Sequence, residues 1–533
     1  MERKKLGETL IQILESFGVE IIFGIPGVHT VELYRALSQS RIRHITARHE
    51  QGVGFMADGY ARLSGKPGVC FVITGPGVTN ILTSMAQARA ESIPMLVISG
   101  VNDLKKGKKK RAPLHDLPNQ AKLVKQVALA TYTLKKPKKI KMVLQKAFTK
   151  MTSGRPGPVH IQIPIDVMTK NIDKTIKNST QIKKEWGIKS SKFLRAFNIV
   201  RDSKNPCVII GGGARSAKTI IAKFIEMLDA PTISTVNARD LLGGHKLHIP
   251  ASPSLKSVRE VIKQADLVIA LGTEMGQTDY DMFDNNSFPY IKNLIRIDID
   301  KNQLQKSPIG TLKIKCDVKQ FCESALQNID IKNNNINKRE LINHCMEAIQ
   351  LELSEQYGSC QLLISTIVEA LPSAILVGDS TQPTYFGNLL CEITNQNRWF
   401  NSATGYGTLG YAPPAAIGAK LACPEKPVIC IVGDGGLQFS IAELGTAVDE
   451  LVPVLFLVWN NSEYKEIRTY MESQDITPIG TLLTPPNLEL TAKSYGLKFN
   501  RTKTSEDLSR LLLDFEKNPI AMVVEVIEKQ FKK

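Results

Sequence analysis

The chain contains 533 residues, which is enough for about three domains of ordinary size and excludes a single small core. Hydrophobic residues make up 43% of the chain, charged residues 22%, and the mean hydropathy is -0.09, so the composition excludes global disorder. The net charge is +17, from 68 Lys and Arg against 51 Asp and Glu, which raises the question of a nucleic-acid or anionic-membrane partner.

Most of that charge lies in one segment. Residues 104–150 contain 15 Lys and Arg against one acid, Asp116, a surplus of 14. The densest part, 104–111, has no interleaved aromatic residue on which bases could stack. We therefore predict neither a nucleic-acid nor a membrane partner, and keep a basic nucleic-acid binder only as an alternative.

Short apolar runs of strand length alternate with helical segments along the chain, which is typical of α/β units around parallel sheets. The clearest runs are residues 69–74, 95–99, 208–210, 267–271, 428–432 and 454–459. Two polar stretches, 171–187 and 331–338, interrupt the pattern. We therefore predict an α/β chain of three doubly wound parallel-sheet domains, with boundaries at 1–170, 188–330 and 355–533.

The sequence contains no recognisable secretion signal, membrane span or Cys/His metal-binding motif. The nine cysteines and eight histidines show no metal-binding spacing, and the first residues lead into an amphipathic pattern rather than an apolar signal segment. No apolar run approaches the roughly 20 residues that span a bilayer. We expect a cytoplasmic enzyme with reduced thiols.

The most specific motif lies near residue 434. The apolar run 428–432 leads directly into Gly433-Asp434-Gly435-Gly436, residues 437–448 have the pattern of one helix, and the strand 454–459 ends in Asn460-Asn461. Glycines at a strand-to-helix turn allow main-chain N–H groups to approach a phosphate, but the Asp434 carboxylate would repel it. A Mg²⁺ ion that bridges Asp434, the Asn461 amide oxygen and a diphosphate resolves the conflict.

This pairing of Gly-Asp-Gly with Asn-Asn resembles the diphosphate-binding motif of thiamine diphosphate enzymes. Residues 46–62 and 74–80 resemble the pyrimidine-binding domain of the acetolactate synthase branch, and residues 23–27 and 405–418 belong to the same pattern. The resemblance covers the whole chain and implies a pyrimidine-binding domain at 1–170, a Rossmann-like central domain and a diphosphate-binding domain at 355–533.

The resemblance also implies roles for single residues. Glu50 is the acid/base residue that hydrogen-bonds N1′ of the aminopyrimidine, the Gly407 carbonyl accepts from the 4′-amino group, and Leu409 wedges beneath the bent cofactor. Asp434, Asn461 and a main-chain oxygen near Glu463 are the Mg²⁺ ligands. The diphosphate is held by residues drawn from two turns: Gly435, Gly436, Thr381 and Gln382.

The resemblance further bears on assembly and on a second cofactor. In the family the residues matching Glu50 and Asp434 come from different subunits, which implies a homodimer or homotetramer, although the sequence alone allows contact within one chain. Acetolactate synthases bind FAD in the central domain. The stretch 271–279 departs from their pattern and the glycines at 211–213 suit a plain turn equally well, so the sequence argues against FAD without deciding whether it is bound.

Two stretches, 24–35 and 377–382, are more similar to 5-guanidino-2-oxopentanoate decarboxylase, a relative from arginine catabolism. For such a substrate Glu274, Asp279 or Asp116 is a candidate partner of the guanidinium. His115 is a candidate for proton transfer during product release. The basic segment 104–111 instead favours an anionic acid such as pyruvate.

We therefore predict a decarboxylase or carboligase that depends on thiamine diphosphate and Mg²⁺ and acts on a 2-oxo acid. Its outcome is either carboligation of two pyruvate molecules to acetolactate or simple decarboxylation of 5-guanidino-2-oxopentanoate. A non-catalytic binding protein with the same fold is the alternative from a different class.

Overall fold

The computed structural model describes residues 4–103, 114–172, 190–280, 287–308, 310–330, 338–353, 357–393 and 398–533. Three six-stranded sheets, each entirely parallel, follow one another along the chain. This confirms the predicted fold class. The basic segment 104–111 lies outside the described residues.

The N-terminal unit contains the first six-stranded sheet, in the order β3-β2-β4-β5-β7-β6. Its strands are β1 (Lys4–Lys5), β2 (Ile21–Gly24), β3 (Arg43–Thr46), β4 (Gly68–Val72), β5 (Met95–Val101), β6 (Ala130–Thr133), β7 (Pro158–Pro164) and β8 (Asn171–Ile172). Its helices are α1 (Leu6–Ser16), α2 (Val31–Tyr34), α3 (Glu50–Ser64), α4 (Pro76–Ala90), α5 (Gln120–Val124), α6 (Ile140–Thr152) and α7 (Ile165–Met168). β1 and β8 form a separate antiparallel pair, so the predicted connection at 171–187 begins with a short strand.

The central unit contains a sheet of order β11-β10-β9-β12-β13-β14, which is the nucleotide-binding order of a doubly wound fold. Its strands are β9 (Pro206–Ile210), β10 (Thr232–Ser234), β11 (His248–Ile249), β12 (Leu267–Leu271), β13 (Leu294–Asp298) and β14 (Leu312–Lys315). Its helices are α8 (Ser190–Asp202), α9 (Lys218–Leu228), α10 (Lys256–Gln264) and α11 (Val318–Asn328), and α12 (Lys338–Leu353) follows them.

The C-terminal unit repeats the strand order of the first, as β16-β15-β17-β18-β20-β19. Its strands are β15 (Ile375–Gly378), β16 (Arg398–Asn401), β17 (Val428–Gly433), β18 (Leu455–Asn460), β19 (Lys498–Thr502) and β20 (Met522–Ile527). Its helices are α13 (Gly358–Ala370), α14 (Gln382–Leu389), α15 (Ala412–Ala422), α16 (Asp434–Gln438), α17 (Glu443–Asp449), α18 (Lys465–Ser473), α19 (Leu488–Ser494) and α20 (Ser505–Lys517).

The prediction of one helix over 437–448 is wrong. The structure has α16 and α17 there, separated by a turn in which the N–H groups of Phe439, Ser440 and Glu443 bond three residues back rather than four. The turn brings Phe439 against Gly410 and leaves the Glu443 carboxylate beside Gly52 of α3.

Helices α3 and α15 join the N-terminal and C-terminal units. They cross at two glycines: Gly59 lies against the Ala415 carbonyl and Gly418 against the Met56 carbonyl. A Cβ atom at either position would come closer than 3.0 Å to that oxygen, so only glycine allows the two backbones to approach this far. Beside the crossing, the Tyr411 hydroxyl donates to the buried Asp58 carboxylate at 2.5 Å.

Candidate active site

A cavity of about 350 Å³ lies at the carboxyl ends of β15, β17 and β18. Because β17 and β18 are neighbours, with Gly433 opposite Trp459, the turn that holds Asp434 lies beside the one that holds Asn461. The predicted residues that line this cavity are Thr381, Gln382, Gly407, Leu409, Asp434, Gly435, Gly436, Asn461 and Glu463. The structure thus brings together the residues assigned to the metal and the diphosphate.

The Asp434 carboxylate is buried without a compensating cation among the described residues. Its Oδ1 atom accepts the main-chain N–H of Asn461 at 3.4 Å, and its Oδ2 atom has no hydrogen-bond partner there. Burial raises the pKa of Asp434 above its ordinary value, although main-chain N–H groups oppose the shift. A divalent cation at this oxygen would supply the missing positive charge, so the residues fit Mg²⁺.

The rest of the donor set is oxygen from an amide and from the main chain. Across the described ranges, His, Cys, Asp and Glu side chains form no metal-binding group of three or more. The Glu463 carboxylate forms an ion pair with Arg468 at 2.7 Å, which leaves the main chain rather than this side chain to face a metal. Asn461 Oδ1 accepts the Glu463 N–H at 3.2 Å and fixes the turn.

The turn at 433–436 packs closely against neighbouring side chains, which glycine allows. A Cβ atom at Gly435 would lie 2.7 Å from the Tyr464 ring, and one at Gly436 would lie 3.1 Å from Asp379 Oδ1. The buried Asp379 accepts main-chain N–H groups of Ser380, Gly410 and Ala412 at 2.9, 3.2 and 2.9 Å. Burial raises its pKa to about 6. Asp379 therefore ties the loop of Gly407 and Leu409 to the end of β15.

Glu50 begins α3 at the carboxyl edge of the first sheet. Its Oε2 atom accepts the Asn80 side-chain N–H at 2.9 Å, and Gly77 lies next to its Oε1 atom. The residues that line the Asp434 cavity, among those described, all belong to the C-terminal unit, so one chain does not bring Glu50 into it.

Three models of one family match consecutive parts of the chain. The thiamine pyrophosphate enzyme N-terminal TPP binding domain matches residues 4–123, the central domain of that family matches 194–325, and the C-terminal TPP binding domain matches 379–526. The chain belongs to the thiamine pyrophosphate enzymes. Thiamine pyrophosphate and thiamine diphosphate are the same cofactor, so the predicted family and cofactor are confirmed.

This thiamine pyrophosphate enzyme is similar to a decarboxylase and to acetolactate synthases. A probable 2-ketoarginine decarboxylase of Pseudomonas aeruginosa is 38% identical over 509 residues, which is 95% of this chain and 90% of the relative. The acetolactate synthase isozyme 1 large subunit of Escherichia coli is 30% identical over 85% of this chain and 81% of the relative. An acetolactate synthase large subunit of Buchnera aphidicola is 30% identical, with 96% and 92% covered.

The predicted substrate residues lie apart from the Asp434 cavity. The His115 ring meets the buried His29 ring edge-on at 5.1 Å, with its main-chain oxygen against Gly75, near the strand ends that surround Glu50. Asp116 next to it is exposed. Burial, and secondarily the neighbouring His115, lowers the pKa of His29. His29 and His115 thus lie in the N-terminal unit, which also contains Glu50, and not in the cavity of Asp434.

Glu274 and Asp279 line a different cavity, a cleft of about 620 Å³ between the three units. Glu274 forms an ion pair with Arg155 there. Asp279 is half-buried, and the partial loss of solvent raises its pKa to about 6. Neither side chain lines the cavity of Asp434, which does not support a role as partner of a substrate guanidinium.

Two residues of functional interest, Glu443 and Glu466, are not identified by any sequence motif. Glu443 is buried and accepts the main-chain N–H groups of Arg48 and His49 at 3.2 and 3.0 Å, which holds the residues preceding Glu50. Glu466 lines the Asp434 cavity from the first turn of α18. Their positions depend on contacts that only the fold reveals.

Across the described ranges, no helix has both the length and the apolar character needed to cross a membrane.

Proposed function

We propose that this enzyme decarboxylates a 2-oxo acid with a guanidino tail, 5-guanidino-2-oxopentanoate, which is 2-ketoarginine. The observation that carries the proposal is the 38% identity, over 95% of the chain, to a probable 2-ketoarginine decarboxylase. The intact set of Glu50, Asp434 and Asn461 supports catalysis rather than binding alone.

Bound thiamine diphosphate supplies the carbon nucleophile and the electron sink that decarboxylation of a 2-oxo acid requires. Glu50 would hold a proton at N1′ of the aminopyrimidine, and the Asn80 amide orients its carboxylate. Asp434, Asn461 and the main chain near Glu463 would hold Mg²⁺. Gly435 and Gly436 would lie beside the diphosphate, and Leu409, which lines the same cavity, would contact the cofactor.

A homodimer is the smallest assembly that we propose to be active. Glu50 lies at the edge of the first sheet, outside the cavity of Asp434 in the same chain. Glu50 of the partner subunit would complete that cavity. Sedimentation of the active enzyme as a monomer would contradict this assembly.

We propose that the enzyme works without a flavin. Each arginine that lines the central cleft has a carboxylate partner: Arg62 pairs with Asp58, Arg155 with Glu274, and both Arg215 and Arg398 with Asp240. None of them therefore offers an unpaired positive charge to the diphosphate of a dinucleotide. The glycines at 211 and 213 lie against Gly272, which explains them by backbone packing. A flavin absorption band in the purified protein would overturn this point.

Acetolactate synthesis is the second candidate, because the relatives from Escherichia coli and Buchnera aphidicola, at 30% identity, are acetolactate synthases. Purified protein with thiamine diphosphate and Mg²⁺ is supplied with 5-guanidino-2-oxopentanoate or pyruvate, and CO₂ and acetolactate are measured separately. CO₂ from the guanidino acid supports the proposal. Acetolactate from pyruvate, with no turnover of the guanidino acid, would replace it with the second candidate.

A further inference from the structure

Four charged side chains follow Asn461 in quick succession, and three of them have partners. Lys465 forms an ion pair with Glu528, and Arg468 forms one with Glu463 at 2.7 Å. Glu466 has neither a hydrogen bond nor an ion pair within the described part of the chain. Of these four side chains, Glu466 alone therefore lacks a partner among the described residues.

Glu466 lies in the lining of the cavity that contains Asp434. Glu466 lines the same 350 Å³ cavity as Asp434 and Asn461, and Tyr385, Lys465 and Ile467 line it as well. Burial raises the pKa of the Tyr385 hydroxyl to about 12, and the negative charge of Glu466 adds to the effect. An anionic group thus lies in the cavity where the cofactor would react.

We propose that Glu466 binds the guanidinium of the substrate and thereby selects a cationic 2-oxo acid. A planar carboxylate accepts two parallel N–H groups of a guanidinium, which gives both strength and orientation. The same charge repels a second carboxylate, so a dicarboxylic 2-oxo acid is disfavoured. This inference rests on the proposed function and replaces Glu274, Asp279 and Asp116 as the candidate partners.

A purely structural role makes a different prediction. A carboxylate in the first turn of a helix stabilises the helix through its favourable interaction with the helix dipole. Glu466 is in the first turn of α18. In that role its replacement would lower the melting temperature and reduce turnover of every substrate by a similar factor. A guanidinium contact instead affects one substrate only.

The test compares two substrates of nearly the same shape, 5-guanidino-2-oxopentanoate and 5-ureido-2-oxopentanoate, whose tail is neutral. Holoenzyme with thiamine diphosphate and Mg²⁺ is assayed for CO₂ release as wild type, Glu466→Gln and Glu472→Gln. Glu472 is half-exposed on the same helix and does not line the cavity, so it serves as the matched control.

We expect Glu466→Gln to lower kcat/KM for the guanidino acid about 10- to 100-fold, mainly through KM, and to change it less than about twofold for the ureido acid. Glu472→Gln should behave as the wild type on both. Titration calorimetry with 5-guanidinopentanoate, which has no oxo group to react, should show the same weakening for Glu466→Gln without turnover.

Three results would overturn the inference, and they differ in what they leave standing. If wild type turns over the guanidino acid and Glu466→Gln does so equally well, the role of Glu466 fails and the proposed function stands. An equal loss on both substrates indicates the structural role. If wild type turns over pyruvate and neither of the two pentanoate derivatives, the proposed function fails and the role of Glu466 fails with it.

Discussion

Replacing Gly418 by alanine tests the crossing of α3 and α15. The added methyl would meet the Met56 carbonyl at less than 3.0 Å, and a main-chain oxygen within a helix cannot turn aside as a flexible side chain can. The methyl favours the helix itself by about 1 kcal/mol, whereas forcing the two backbones apart costs about 3 kcal/mol, so the expected net loss is about 2 kcal/mol. For a cooperative unit of about 150–250 residues this lowers the melting temperature by about 4–8 °C.

Calorimetry of the purified chain measures this change, with Gly154→Ala as the matched control. Gly154 has open space where its Cβ would be and lacks the backbone conformation that only glycine adopts easily, so this variant should melt as the wild type does. A Gly418→Ala variant that melts with Gly154→Ala, or above it, would refute the close crossing at Gly418.

Three further predictions concern the metal, a buried histidine and the contact between units. Asp434→Asn removes the buried negative charge, so we expect it to raise the Mg²⁺ concentration needed for half-maximal CO₂ release by at least about tenfold; an unchanged Mg²⁺ titration would contradict its role as a ligand. His160 is fully buried, which lowers its pKa to about 3. Below about pH 6.5 the unfolded chain therefore binds a proton at this histidine that the folded chain does not bind. The free energy of unfolding then falls by up to about 1.4 kcal/mol per pH unit. His160→Gln should flatten the decline of melting temperature between pH 7 and 5, whereas His344→Gln, at an exposed position, should not; equal slopes would exclude this cause. Glu443→Ala leaves the Arg48 and His49 N–H groups without their acceptor and should cost about 2 kcal/mol in thermal unfolding; no loss would mean that the contact contributes nothing.

The sheets, and the proximity of Asp434 to Asn461, could be predicted because each depends on the local pattern of the sequence. Apolar runs of strand length define buried parallel strands whatever lies around them. Once residues 428–432 and 454–459 are neighbouring parallel strands, their carboxyl ends meet, and Asp434 and Asn461 come together without further information.

The remaining features depend on contacts between distant parts of the chain. The sequence over 437–448 has a helical pattern, but the helix is interrupted between α16 and α17. Residues near the interruption contact Gly410 and α3, and the local periodicity does not indicate these contacts. Nothing near Glu466 in the sequence distinguishes it from Glu463, since their difference comes from Arg468, which pairs with one and not the other. Glu274 is a candidate partner of a guanidinium by sequence, but it pairs with Arg155 of another unit, a contact that the sequence does not indicate.

The equal strand order of the first and last sheets has a consequence for how they dock. Helix α3 lies between the second and third strands of its sheet in chain order, and α15 lies at the matching place in the other. Their contacts are reciprocal, since each glycine meets the carbonyl three residues before the other glycine. Such a contact has approximate two-fold symmetry, the relation normally found between identical subunits. One polypeptide therefore contains the interface geometry of a symmetric dimer, with the central unit inserted between its two halves.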